Sequence, residues 1–117
     1  MKFLSIYKTV ETNTPPSQEH VAQMGQLIED MMKAGTLVAT EGCLPSSKGA
    51  RVRLSGGTIT VTDGPFIESK EVLGGYWLVE AASKEELVKW AQRCPADEGD
   101  VIEIRQIFDE ADFAIKK

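Results

Sequence analysis

The apolar positions of this chain change period several times, and each change marks an element. Residues 3–8, FLSIYK, alternate: Leu4 and Ile6 fall on one side, Phe3, Ser5 and Tyr7 on the other, as in a strand. A polar loop with two prolines, TNTPPS, follows. From Ser17 the spacing turns helical, with Val21, Met24, Leu27, Ile28 and Met31 on one stripe. Ser17 is placed to cap this helix, Glu19 carries negative charge in its first turn, and Gly35 closes it after Lys33. Strand period returns in residues 36–44, TLVATEGCL. It returns again in ARVRL and TITVT, which Ser-Gly-Gly joins as a hairpin. Arg51 and Arg53 share one face of the first hairpin strand; Thr58, Thr60 and Thr62 share one face of the second, which predicts a half-exposed ribbon.

After the turn DGPF, VLGGYWLVEA predicts a long strand, with Gly74-Gly75 marking a bulge or a close backbone approach. Ser83 and Glu86 are spaced as a capping box for a helix that buries Leu87, Trp90, Ala91 and Cys94 and stops at Pro95. VIEIRQIF, residues 101–108, predicts the last strand, with Ile102, Ile104 and Phe108 on one face. Residues 109–117 form a tail within a single 1–117 domain; its Phe113 and Ile115 are expected to pack either on the body of the chain or on a partner subunit.

Without the hairpin the order is βαββαβ, the split βαβ repeat of the ferredoxin-like α+β class, with two helices on one side of an antiparallel sheet. The other face then needs a ligand, a partner or enough polar residues to meet water. If Leu4 and Ile6 face the helices, the open face receives Phe3, Ser5 and Tyr7, together with Glu41 and either Tyr76 or Trp77. Aromatic and acidic residues mixed on such a face point to a cavity shared in a homodimer. This reading assumes a strand register, and a slip of one residue would reverse it.

Composition narrows the function classes. At 117 residues, 42% hydrophobic and 26% charged, the chain is an ordinary globular sequence. A formal net charge of −5, with positives scattered, excludes the basic stripe of a nucleic-acid module. MKFLSIYKTVE begins like a signal peptide, but its apolar run ends at Tyr7-Lys8. No stretch is apolar for long enough to span a membrane. The expected setting is therefore cytoplasmic, with no membrane partner. Cys43 and Cys94 lie far apart and the chain has one histidine, so a metal site is not expected; both cysteines read as buried apolar groups. Neither a phosphate loop nor a cofactor fingerprint occurs, and no cofactor is expected.

Candidate chemistry centres on the DGPF turn and its neighbours. Asp63 reads either as an Asx-type turn residue or as a cleft-mouth carboxylate able to act as a general base. Phe66 would anchor the turn from beneath. Glu68, Lys70 and Glu71 follow as solvated charges, unless Lys70 pairs with Asp63 or holds an anionic ligand that Glu68 orients. Arg51 and Arg53 have the same two readings. Glu41 stands inside the apolar strand LVATEGCL, so it must find a partner such as Arg53 or line a cavity. Tyr7, Tyr76 and Trp77 are core or interface residues, or a stacking surface for a ring-bearing ligand. His20, near a helix start, is expected to be exposed; it is the one ordinary proton shuttle in the chain. The ligand-binding set is thus Tyr7, Glu41, Arg53, Glu68, Lys70 and Tyr76, with Asp63 as the catalytic candidate.

DGPFIESKEVLGGYWLVE, with EGCLP upstream and KWAQRCPADEGDVIEIRQI downstream, resembles the YCII-related or DGPF-domain proteins from the first strand to about Phe108. The resemblance implies a ferredoxin-like subunit that pairs into a dimeric α+β barrel, in a family whose members mostly have no assigned activity. Related proteins use a His-Asp pair, and one branch eliminates chloride from a chlorinated hydroxyquinol. Here Gln23 occupies the position that their histidine holds on the first helix, with His20 a turn earlier, and Cys94-Pro95 stands where they have Asp-Pro. That departure counts against the same elimination. Similar proteins are encoded beside extracytoplasmic-function sigma factors, which implies sensing or accessory roles. Two expectations follow: a small dimeric ligand-binding or accessory protein, or a lyase or isomerase in which Asp63 takes a proton from a small cyclic or carbonyl-bearing substrate while Lys70 or an arginine stabilises the anion.

Overall fold

A computed structural model describes residues 1–11, 15–66 and 72–114. Its elements run β1 (Lys2–Thr9), α1 (Gln18–Lys33), β2 (Leu37–Gly42), β3 (Ala50–Ser55), β4 (Thr58–Asp63), β5 (Val72–Glu80), α2 (Lys84–Ala91), β6 (Val101–Gln106) and α3 (Glu110–Ala114). A single 3-10 turn, Ser46–Lys48, precedes β3. The main sheet has the order β2-β5-β1-β6, with antiparallel neighbours throughout, while β3 and β4 form a separate two-stranded ribbon. Leaving out the ribbon, each βαβ unit brackets one strand of the other, and the fold is ferredoxin-like α+β. No helix among the described residues is long and apolar enough to cross a membrane.

The two longer helices, α1 and α2, begin at serine caps. Ser17 Oγ accepts from the His20 amide at 3.0 Å, and Ser83 Oγ accepts from the Glu86 amide at 3.2 Å. Glu86 completes its box one residue early, accepting from the Ala82 amide at 2.9 Å. At the end of α1 the chain turns through Gly35 at φ 74, where the Thr36 amide donates back to the Met31 carbonyl. Arg93 donates to Asp30, holding the end of α2 beside α1.

Register decides which face the helices cover. Phe3 pairs with Val79 and Ser5 with Trp77, and these join Leu27, Met31, Ala81 and Leu87 in the core, with Ile102 and Ile104 packed against it. Phe3, Ser5 and Tyr7 therefore face the helices, and the expectation that they occupy the open face is corrected. Alternation gives a strand its period but not its sign. The sign comes from the partner strand, where Trp77, Val79 and Ala81 are the buried set. The open face instead carries Leu4 and Ile6 with Leu78 and Tyr76, bordered by Glu41, Lys8 and Glu103. Lys8 and Glu103 form an ion pair there at 2.9 Å.

The ribbon turns at Gly56-Gly57, both at positive φ (56 and 79), as a two-residue hairpin of this type requires. It is exposed on both faces rather than one, because it lies outside the main sheet. Cys43 is exposed, not buried, since β2 ends before it; Cys94 is half-buried behind α2. Phe108 lies past the end of β6 and its ring packs against Phe113, centroids 5.1 Å apart.

Candidate functional site

The apolar stripe of α1 serves two surroundings. Its C-terminal half, Leu27 and Met31, is buried in the core. Towards its N-terminus Met24 packs against the edge of the core, and with Val21 and Ile28 it faces the end of the sheet, where β2 and β5 present Gly42, Gly74 and Gly75. With no side chains there to meet the helix, a cleft of about 560 Å³ remains. His20, Val21, Met24 and Ile28 line its helix side; Tyr7, Thr40 and Trp77 line its sheet side. The close approach of β2 to β5 depends on Gly75, where an added Cβ would lie 2.8 Å from the Glu41 carbonyl oxygen. Gly74 occupies the bulge opposite Tyr7/Lys8, and a Cβ there would press on the Tyr7 ring at 3.2 Å.

Tyr7 connects this cleft to an anchored carboxylate. Its hydroxyl donates to Asp100, in the loop before β6. Thr9 donates to the other Asp100 oxygen at 2.8 Å, and the Asp97 amide donates at 2.9 Å. Burial alone would raise the Asp100 pKa; the bonds from Tyr7, Asp97 and Thr9, with the field of His20, overcome this and hold it below the usual carboxylate value. Burial first, and then the bond to Asp100, push the Tyr7 phenol well above its ordinary pKa. Half-burial of Cys94 nearby, together with the same negative charge, pushes its thiol up to about 12, so it stays protonated. The arrangement is a fixed anion, a phenol bound to it, and the chain's one imidazole at the rim of an apolar cleft. His20 is half-buried rather than exposed, because the Ser17 cap starts α1 with the His20 side chain on the cleft wall.

The DGPF turn lies elsewhere and is built as a clamp. The Gly64 amide donates to the Gly49 carbonyl at 3.0 Å, closing the base of the ribbon. The Phe66 amide donates to Ser46 Oγ at 3.0 Å. Ser46 in turn donates to Glu11 through its amide at 2.5 Å and its hydroxyl at 2.7 Å. Gly64 is required by space, since a Cβ there would fall 1.7 Å from the Ser46 carbonyl oxygen. Arg51 lies over the Phe66 ring, 3.9 Å from its centroid.

The site residues expected from sequence are divided among these regions. Tyr7, Glu41 and Tyr76 line the cleft, although pairing of Glu41 with Tyr76 and of Tyr76 with Ile6 directs the last two side chains toward the open face. Glu41 is exposed, not buried in an apolar strand, because β2 is an edge strand and ends one residue later. Asp63 and Arg53 are exposed on the ribbon, outside the cleft lining. Glu68 and Lys70 lie outside the described residues, as does Glu71. Sequence reasoning passed over Asp100 and Thr9, and the glycines singled out as a bulge are the signal that a gap opens beside Tyr7. Among the described residues, no group of three or more His, Cys, Asp and Glu is arranged to hold a metal ion.

Comparison with known proteins gives a family. A match to the YCII-related domain extends over residues 1–111. An uncharacterised protein of Rhizobium meliloti (strain 1021) is similar, at 38% identity over 61 residues. That alignment covers 52% of this chain and 49% of the relative, so the chain spans about half the length of the curated relative it matches. With its antiparallel sheet, its two capped helices and a family match across nearly its full length, the chain belongs to the YCII-related family.

Proposed function

We propose that the cleft between α1 and the glycine-lined end of the sheet binds a small ring-bearing molecule, and that the protein acts as a ligand-binding or accessory module. The observation that carries this reading is the cleft's makeup: apolar and aromatic walls around a few fixed polar groups, at about 560 Å³ within the size range of small-molecule sites. Tyr7 and Trp77 offer aromatic surface, and His20 offers an exchangeable proton beside it. A second reading, proton transfer as in a lyase or isomerase, is favoured by one observation. His20 lies in the field of an Asp100 carboxylate that three hydrogen bonds hold ionised. In that reading the general base is His20 rather than Asp63, since Asp63 stands on the ribbon away from the cleft.

A thermal-shift panel of phenols, quinols and cyclic ketones tests the first reading. Wild type should be stabilised by some members, and Val21→Trp, which fills the cleft from its exposed helix side, should lose that response. Equal stabilisation of both proteins would place binding elsewhere and defeat the reading. In the same panel His20→Gln should still bind; where a ligand is also turned over, turnover should be lost, and its survival would eliminate His20 as the base.

A further inference from the structure

Hydrogen bonds within the chain decide what the hydroxyls of the cleft can offer a ligand. Tyr7 has one phenolic proton, and it is donated to Asp100. That carboxylate takes further donors at both of its oxygens, from Thr9 at 2.8 Å and from the Asp97 amide at 2.9 Å, and being ionised it has no proton to return. Tyr7 is therefore fixed as the donor of the pair, and its oxygen has only acceptor capacity left. Donation to a charged acceptor also polarises the phenol and strengthens that oxygen as an acceptor. Across β5, Thr40 is constrained in the same way: its hydroxyl donates to the Tyr76 carbonyl at 2.9 Å.

Strand order sets these two hydroxyls on either side of one floor. β5 runs between β2 and β1, with Thr40 paired to Trp77 and Tyr7 paired to Gly75. Gly75 and Trp77 are two residues apart, so they share the helix-facing side of β5. A flat ring lying there meets an acceptor oxygen toward each neighbouring strand. None of the described lining residues is Lys, Arg, Asn, Gln or Ser. With Tyr76 directed to the open face, the side-chain donors left are the His20 imidazole and the Trp77 indole N–H. The charge held on Asp100 stands behind Tyr7 and opposes an anionic ligand.

We propose that Tyr7 determines the specificity of this cleft: its oxygen, with its own proton held by Asp100, accepts a hydrogen bond from an N–H or O–H carried by a flat, uncharged ring. Asp100 is then a positioning residue, acting on the ligand through Tyr7. Rings whose only polar atom is an acceptor find no partner at Tyr7, and carboxylates meet the Asp100 charge. The assignment rests on the cleft's being the small-molecule site, and it adds the hydrogen-bonding polarity of the molecule that fits.

Indole and benzofuran provide the test, because they share a shape and differ in carrying a ring N–H or a ring oxygen. Amide NMR titration reports both the affinity and the location of each probe. Wild type should bind indole about fivefold more tightly than benzofuran, the effect of one hydrogen bond, with shift changes on His20 and Met24 for both. Tyr7→Phe should reduce that ratio to less than about twofold while leaving the benzofuran affinity in place. Asp100→Ala keeps the phenol but frees its proton, so the ratio should fall there too; a merely structural role would weaken both probes alike and leave the ratio standing. Equal binding of the two probes by wild type, or an indole preference that survives Tyr7→Phe, overturns the proposal while the cleft remains the binding site. No response of His20 or Met24 to either probe defeats the cleft reading itself, and the proposal with it.

Discussion

Asp100 is the residue on which the cleft's electrostatics depends. A carboxylate with three donors and a depressed pKa stabilises the fold only while it is ionised. Its contribution is therefore complete above the unfolded-state value near 4 and is lost as pH falls through the lower folded value. Replacement by asparagine keeps the shape and removes the charge, at a cost of about 2 kcal/mol for charge-assisted bonds from Tyr7 and Thr9. Urea unfolding should show that gap between wild type and Asp100→Asn at pH 7 and a narrowing gap as pH drops below 4. A gap that stays constant down to pH 2.5 would mean that ionisation is not what the bonds depend on. Asp100 could not be picked from sequence. It is one of several acids in ADEGD, and only the antiparallel register of β1 with β6 brings it to Tyr7 and Thr9, more than ninety residues away.

The elements were legible where period and caps agree, and less so where a choice of face had to be made. Ser17, Gly35 and Ser83 mark helix ends by chemistry that is local to them, and the structure places caps and turns at all three. The faces of β1 were not legible, because Leu4 and Ile6 look more core-like than Ser5, yet Ser5 is buried beside Trp77. Glycine substitutions separate a local role from a tertiary one. Gly25, in α1, has nothing within 4 Å of an added Cβ, so Gly25→Ala should raise stability by about 1 kcal/mol through helix propensity. Gly75→Ala should instead lower the melting temperature, since its Cβ meets the Glu41 carbonyl at 2.8 Å and forces β2 away from β5. Thermal melts of the two variants compare these directly, and a tolerated Gly75→Ala would mean that the strands can part without loss.

At the scale of the whole molecule, the sequence order βαββαβ carried the fold, since strands that alternate with capped helices leave few topologies open. Where the ribbon goes was not legible. ARVRLSGGTITVT has the same alternation whether it extends the main sheet or stands apart, and its separation follows from the Glu11–Ser46–Phe66 clamp. That clamp also explains the DGPF segment as a turn whose glycine admits Ser46, while the cleft forms at the Gly42 and Gly74-Gly75 end of the sheet. The central claim is that this cleft, rather than the DGPF turn, is where a small molecule binds. The most direct test is an amide NMR titration of the uniformly labelled protein with phenol and cyclohexanone fragments. The account predicts shift changes concentrated on His20, Met24, Tyr7, Gly74 and Gly75. Changes confined to the ribbon and Asp63, or none at millimolar fragment, would contradict it.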